Sequence, residues 1–325
     1  MPNLQINGWS NDWFGGYPLY YFYFPLPAII TYILNLVFSF GIAFKIMVVM
    51  STILVVYSIE KLMRKTSNQI SIYGATAGLF YVFTESFTIY GGNLASTLAG
   101  QFSFAYSLAF ANLSIFYLIK SENNFRFTIS SIFLALCLLS HLIPFIIYSP
   151  IYAFYWLSKK QNLNQRILSI FIFLALVSRW SVSLLMNLEY TTNMSYTPFS
   201  RLDDLIKKDI LPIIFILIGL LIAKHKNLIK NKTLNLFDFY IVSSSILLYF
   251  YVPEGALWNG RLVPFFNLGI IFLFFKAVEI FIDDINLYQQ GVNVLTGLFL
   301  GGTIYCLYIF YEKWSTNQSY LNLYI

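Results

Sequence analysis

The chain has 325 residues, of which 58% are hydrophobic and only 10% charged, with a mean hydropathy of +0.68. A soluble domain carries about 25% charged residues, so a water-soluble enzyme or binding module is excluded. The net charge of +6 does not indicate nucleic acid, because the basic residues fall between apolar runs and are not gathered on one face.

Residues 1–25 contain no Lys or Arg. Within them, Gly15, Gly16, Pro18 and Pro25 break any continuous helix, and Trp13, Tyr17, Tyr20, Tyr21 and Tyr23 are amphipathic rings suited to the membrane boundary. An extracytoplasmic loop is expected over 1–25, followed by an interfacial or re-entrant helix over 26–41. Apolar runs of the roughly 17 to 25 residues that cross a bilayer then recur near 42–60, 69–89, 96–119, 127–141, 143–158, 167–187, 210–223, 237–252, 262–282 and 291–311. The short pair 127–141 and 143–158 meets at His141-Leu-Ile-Pro144, which also fits a kink within a single span. A tail over 312–325 follows.

In lipid only helices or a closed barrel satisfy every backbone group, and runs that are continuous rather than alternating favour helices. The expected fold is therefore an all-α polytopic membrane protein with about ten transmembrane helices. It forms one integral membrane domain over 1–325, with its bundle over 42–311 and the lipid bilayer as its partner. Four basic groups punctuate it: Lys61, Arg64 and Lys65; Lys120 and Arg126; Lys159, Lys160 and Arg166; Lys224, Lys226, Lys230 and Lys232. By the positive-inside rule these are cytoplasmic, which places the N-terminus outside.

Cys137 and Cys306 lie in apolar runs and read as small hydrophobes. His141 and His225 fall on opposite sides of that topology, so no three-histidine metal site can form. No cofactor or metal site is read, and a divalent metal stays open.

The remaining polar residues on the outer side are the candidates. Asp12 is an acid in the first loop, or a helix cap. Glu85 meets the Gly91-Gly92 pair at the outer end of a helix, and an acid at membrane depth usually faces a cavity. His141 is a lone imidazole at a helix end, with a bond to a neighbouring carbonyl as the alternative. Lys45 and Arg179 lie within apolar runs, where Lys45 calls for an acid and Arg179 for a carboxylate, a phosphate or a route to the interface. The loop from Glu189 to Asp209 mixes both signs of charge and reads as solvated. Glu254, Trp258, Asn259 and Arg261 crowd one outer loop, where Trp stacks, Asn hydrogen-bonds and Arg offers a fork to a sugar and a phosphate. Asp283 and Asp284 read as a solvated turn.

Five stretches carry a resemblance: Gly16-Tyr-Pro-Leu-Tyr-Tyr-Phe-Tyr-Phe-Pro-Leu-Pro27, Tyr90-Gly-Gly-Asn-Leu-Ala-Ser-Thr-Leu-Ala-Gly100, Leu139-Ser-His-Leu142, Glu189-Tyr-Thr-Thr-Asn-Met194 and Asn259-Gly-Arg-Leu-Val-Pro264. In order and spacing they resemble the membrane proteins labelled 6-pyruvoyl-tetrahydropterin synthase-related, grouped with type C membrane glycosyltransferases. The resemblance implies a type C-like fold in a prokaryotic plasma membrane, taking a sugar from a polyprenyl-phosphate donor on the extracytoplasmic face. It implies catalytic carboxylates, here Asp12 and Glu85, and substrate contacts from His141, Glu254, Trp258, Asn259 and Arg261. It also implies an opening helix and an acid that do not precede residue 11, so the expected form is one lacking that helix. The rival expectations are a transporter or lipid flippase lined by Lys45, Glu85 and Arg179, and a non-catalytic subunit of an envelope glycan assembly complex.

Overall fold

The computed structural model describes residues 8–11, 16–64, 71–84, 90–121, 124–191, 205–206, 210, 212–218, 236–251, 259–284 and 288–315. A small antiparallel ribbon opens the chain, β1 (Gly8–Ser10) pairing with β2 (Tyr17–Leu19) so that Trp9 faces Pro18. Helices follow: α1 (Leu26–Asn35), α2 (Phe40–Met63), α3 (Ile72–Val82), α4 (Leu94–Ser96), a π-turn (Thr97–Gln101) and α5 (Phe102–Ile119). Then come α6 (Asn124–Ser140), α7 (Leu142–Ser158), α8 (Leu163–Met186), α9 (Leu236–Tyr251), a 3-10 turn (Asn259–Leu262), α10 (Val263–Asp284) and α11 (Tyr288–Ser315). Among the described residues, five helical stretches are long and apolar enough to cross a membrane, at Phe40–Met63, Leu94–Ile119, Leu163–Met186, Asn259–Ile280 and Asn293–Glu312. The architecture is that of an all-α membrane protein.

Several boundaries differ from the sequence expectation for local reasons. α1 has ten residues, about 15 Å at 1.5 Å per residue, half of the roughly 30 Å hydrocarbon layer. Residues 124–158 form two helices, not one kinked span, because His141 adopts an extended backbone (φ −167°, ψ 137°) and caps α7. Asp283 and Asp284 are not a turn; they are the last residues of α10. α11 continues past residue 311 to Ser315.

The chain divides into two compact units. The first comprises Met1–Met47 and Tyr106–Asn193. Here Ala135, Leu138 and Leu139 of α6 pack against Val177 and Trp180 of α8. Polar links tie the helices where apolar packing alone gives little register: Tyr106 donates to the Met47 carbonyl (2.7 Å) and Tyr148 to Asn112 (2.6 Å). At the end of α7, Lys159 donates to the Ile119 carbonyl (2.6 Å), joining two of the basic groups at one end of this unit. Lys45 is buried within α2.

The second unit comprises Val48–Ala105 and Met194–Ile325. Without a hydrophobic drive between helices in lipid, small residues that let backbones approach do much of the packing. Gly74 and Gly78 of α3 form such a pair: a Cβ on Gly74 would lie 2.9 Å from the Glu60 Cα, and one on Gly78 2.9 Å from the Val56 Cα. Glu60 also accepts from Arg64 and from the Ser71 backbone N–H, which ties the end of α2 to the start of α3.

α9 and α10 form an antiparallel hairpin pinned at three levels. Lys276 of α10 donates to both carboxylate oxygens of Asp238 (2.7 and 2.6 Å), with side chains 9% and 2% exposed. Gly269 meets Val242 midway, and Asn259 donates to the Tyr249 carbonyl (3.1 Å), one of the carbonyls that a helix end leaves orphaned. Asp238 lies in the first turn of α9, where the helix dipole also favours its charge.

Removing one partner of a buried ion pair strands the other charge, at a cost of about 3–5 kcal/mol, whereas replacing both with apolar groups is often neutral. Lys276→Met is therefore expected to lower unfolding stability in detergent by about 3 kcal/mol, and Asp238→Leu added to it to restore most of that loss. Equal losses in the single and double variants would show that the pair is not what holds the hairpin.

Candidate functional site

The site in the second unit is built on the stretch between α3 and α5. Asn93 organises it. Its backbone is extended (φ −91°, ψ 173°), its side-chain oxygen accepts from the Ser96 N–H (2.8 Å), and its amide donates to the Thr84 carbonyl. Its own carbonyl accepts from the Thr97 hydroxyl (2.8 Å), and the Ser96 hydroxyl accepts from the Gly91 N–H (3.2 Å). Gly91 is required twice over. Its φ of +112° disfavours a side chain, and a Cβ there would lie 2.5 Å from the Phe104 ring.

The next turn is wound as a π-helix over Thr97–Gln101, with Gly100 at φ +101°. Gly100 is not helical, so the chain kinks there, and Gln101 directly follows the kink. Gln101 Oε1 accepts from Arg261 Nη1 at 2.8 Å, and the same Nη1 donates to the Tyr90 carbonyl at 3.2 Å. Both acceptors are oxygens, and between them they orient the guanidinium. Arg261 itself is carried on the 3-10 turn that leads into α10, the most enclosed of the candidate spans among the described residues. A guanidinium oriented by neutral acceptors, beside backbone that no side chain thickens, suits a planar or tetrahedral oxyanion.

A second cluster lies in the first unit. His141 Nδ1 accepts from the Ile143 N–H (3.2 Å), so the imidazole serves as the N-cap of α7. An accepting Nδ1 carries no proton, so the neutral ring has its proton on Nε2. The ring stacks on Phe24 (4.9 Å between centroids), Phe24 leans on Trp180 (5.2 Å), and the Trp180 indole donates to the Tyr23 carbonyl (3.0 Å). The segment after the ribbon is thus fastened to the α6–α7 break and to α8. Tyr20, just before it, holds φ +55°, and burial raises its phenol pKa, which keeps it protonated as a donor.

Of the residues expected to act, Asp12, Glu85, Glu254 and Trp258 lie outside the described residues. Arg261 is joined to Gln101 and Tyr90, His141 is the α7 cap, and Asn259 is buried with its amide on α9. Arg179 is exposed on α8. Gln101 escaped the sequence reading, although it directly follows the glycine that ends one of the stretches carrying the resemblance. Asp238 and Lys276 escaped it too; the signal was there, since an ionisable residue inside an apolar helix marks a built site. Among the described residues, no group of three or more His, Cys, Asp or Glu is placed to hold a metal ion.

Comparison with known proteins found no matching family profile, no matching characterised protein and no matching solved structure.

Gly91→Ala meets both the Phe104 ring and an unfavourable backbone, while Gly100→Ala meets only the backbone, since nothing lies within 4 Å of its Cβ. Strained backbone costs about 1–3 kcal/mol, so thermal unfolding should fall further for Gly91→Ala than for Gly100→Ala; the reverse order would discount the ring contact. For His141, Asn caps helices well and Ala does not, a difference of about 1 kcal/mol. His141→Asn should therefore unfold at a higher temperature than His141→Ala, and identical midpoints would rule out the cap as the residue's contribution.

Proposed function

We propose that the chain is a membrane glycosyltransferase-like protein of type C architecture. It has about ten spans, lies in a prokaryotic plasma membrane with its N-terminus outside, and takes a sugar from a polyprenyl-phosphate donor on the extracytoplasmic face. The observation that carries this reading is the bond of Arg261 to both Tyr90 and Gln101. It joins two of the stretches on which the resemblance rests, Tyr90–Gly100 and Asn259–Pro264, although more than 150 residues separate them in the chain. Motifs that share order only by chance have no reason to share a hydrogen bond. The label of the resembling proteins is not read as pterin chemistry, because the histidines for such a zinc site are lacking.

In this reading the acceptor hydroxyl loses its proton to a carboxylate, Asp12 or Glu85, as its oxygen attacks the anomeric carbon. The bond from that carbon to the donor phosphate breaks, and the electron pair leaves with the polyprenyl phosphate. Arg261 faces the charge that develops on the phosphate oxygens, and Gln101 and the Tyr90 carbonyl keep its fork aimed. Glu254 and Trp258 belong to the loop that grips the sugar, and Asn259 holds the base of that loop against the end of α9.

A second reading, a transporter or lipid flippase, is favoured by the Asp238–Lys276 pair, since ionisable side chains within a span often mark a pathway. One reconstitution separates the two. Transfer from a polyprenyl-phosphate-linked sugar, measured in proteoliposomes, should fall about 100- to 1,000-fold in Arg261→Ala and about 100- to 10,000-fold in Asp12→Asn. Wild-type transfer in both variants would remove these residues from the chemistry, and lipid flux without transfer would favour the second reading.

A further inference from the structure

α6, α7 and α8 of the first unit border a cleft with room for about 190 Å³. Leu134, Ala153, Ile170 and Phe173 form its apolar walls. The polar groups that reach it are spent on one another. The Tyr152 hydroxyl lies 3.0 Å from Ser130 Oγ and 3.1 Å from Ser131 Oγ, and the Trp156 indole donates to Ser169 (3.1 Å). A sugar or nucleotide entering here would give up water and receive nothing in return, so the cleft selects an apolar guest. Its volume is below the roughly 300–1,000 Å³ of sites that enclose a whole small molecule, so it takes part of one. Most of α8 is left unburied, and Ala153 and Ile170 are exposed. The opening therefore faces the hydrocarbon.

Charge decides which lipid. The stretch 159–166, the turn after α7 and the first residues of α8, contains Lys159, Lys160 and Arg166 and no acid. It adjoins the cleft directly, for the Arg166 guanidinium stacks on the ring of Trp156 (4.9 Å) while it donates to the Lys159 carbonyl (2.8 Å). Lys160 is exposed. Basic pockets between membrane helices recognise anionic head groups. We propose that this cleft seats an acyl chain of one anionic phospholipid, with its headgroup phosphate at the Lys159–Arg166 turn. The site is separate from the sugar-transfer reading and stands whether or not that reading does.

Native mass spectrometry of the full chain in non-ionic detergent tests this, with phosphatidylglycerol and phosphatidylcholine of equal chain length offered together. One phosphatidylglycerol retained in preference to phosphatidylcholine is expected. Lys160→Gln, at an exposed position, should cut that preference about five-fold, the equivalent of ~1 kcal/mol per basic residue near a lipid phosphate. Ala153→Trp, which fills the cleft and leaves the charges in place, should abolish retention of both lipids. Equal retention of the two lipids by the parent chain would overturn the proposal. So would unchanged retention in Ala153→Trp, since the attraction would then be surface charge alone.

Discussion

Lys276 and Asp238 meet where water cannot screen them, and the second unit is organised around that constraint. Two charges taken from water are stable only when each satisfies the other, and the ammonium here reaches both carboxylate oxygens. The pair sets the register of α9 against α10 at one end, the Gly269 contact keeps it midway, and the Asn259 cap closes the other. Arg261 lies two residues beyond that cap. Its placement against Gln101 and Tyr90 is thus the far end of a hairpin held by an ion pair, and in a medium that offers helices no hydrophobic reason to associate, such polar and close-packed links are what give register.

Glycine supplies the other half of the arrangement. At Gly74, Gly78 and Gly269 it allows helices to approach until a single Cβ would intrude. At Gly91 and Gly100 it permits backbone that other residues resist, which lets the chain close over Phe104 and then kink ahead of α5. Gln101, the residue after that kink, accepts from Arg261. In the first unit the equivalent task falls to a side chain, as His141 ends one helix, caps the next and offers its face to Phe24.

Much of the helical architecture was legible because hydropathy is a property of composition along the chain. The apolar run at 96–119 matches the stretch Leu94–Ile119, and those at 42–60 and 167–187 match α2 and α8. Of the site, Arg261 and His141 could be singled out by chemistry in a polar or helix-ending context. What the imidazole bonds to could not, since an imidazole nitrogen accepts from an N–H as readily as its N–H donates to a carbonyl. Gln101 was invisible for a different reason: an uncharged residue in an apolar run gives no signal until its partner is known.

The sequence by itself determined that this chain is helical and belongs in a membrane, because twenty or so consecutive apolar residues leave the backbone no other way to satisfy its polar groups in lipid. It also set where helices start, through caps such as Ser71, Asn93 and Asn162 whose side chains act within three residues. Only the tertiary structure decided that Lys276 would find Asp238 and that Arg261 would find Gln101 and Tyr90. Those partners are 38, 160 and 171 residues apart, and a bond across such a distance depends on how whole helices pack, which no local pattern of residues encodes.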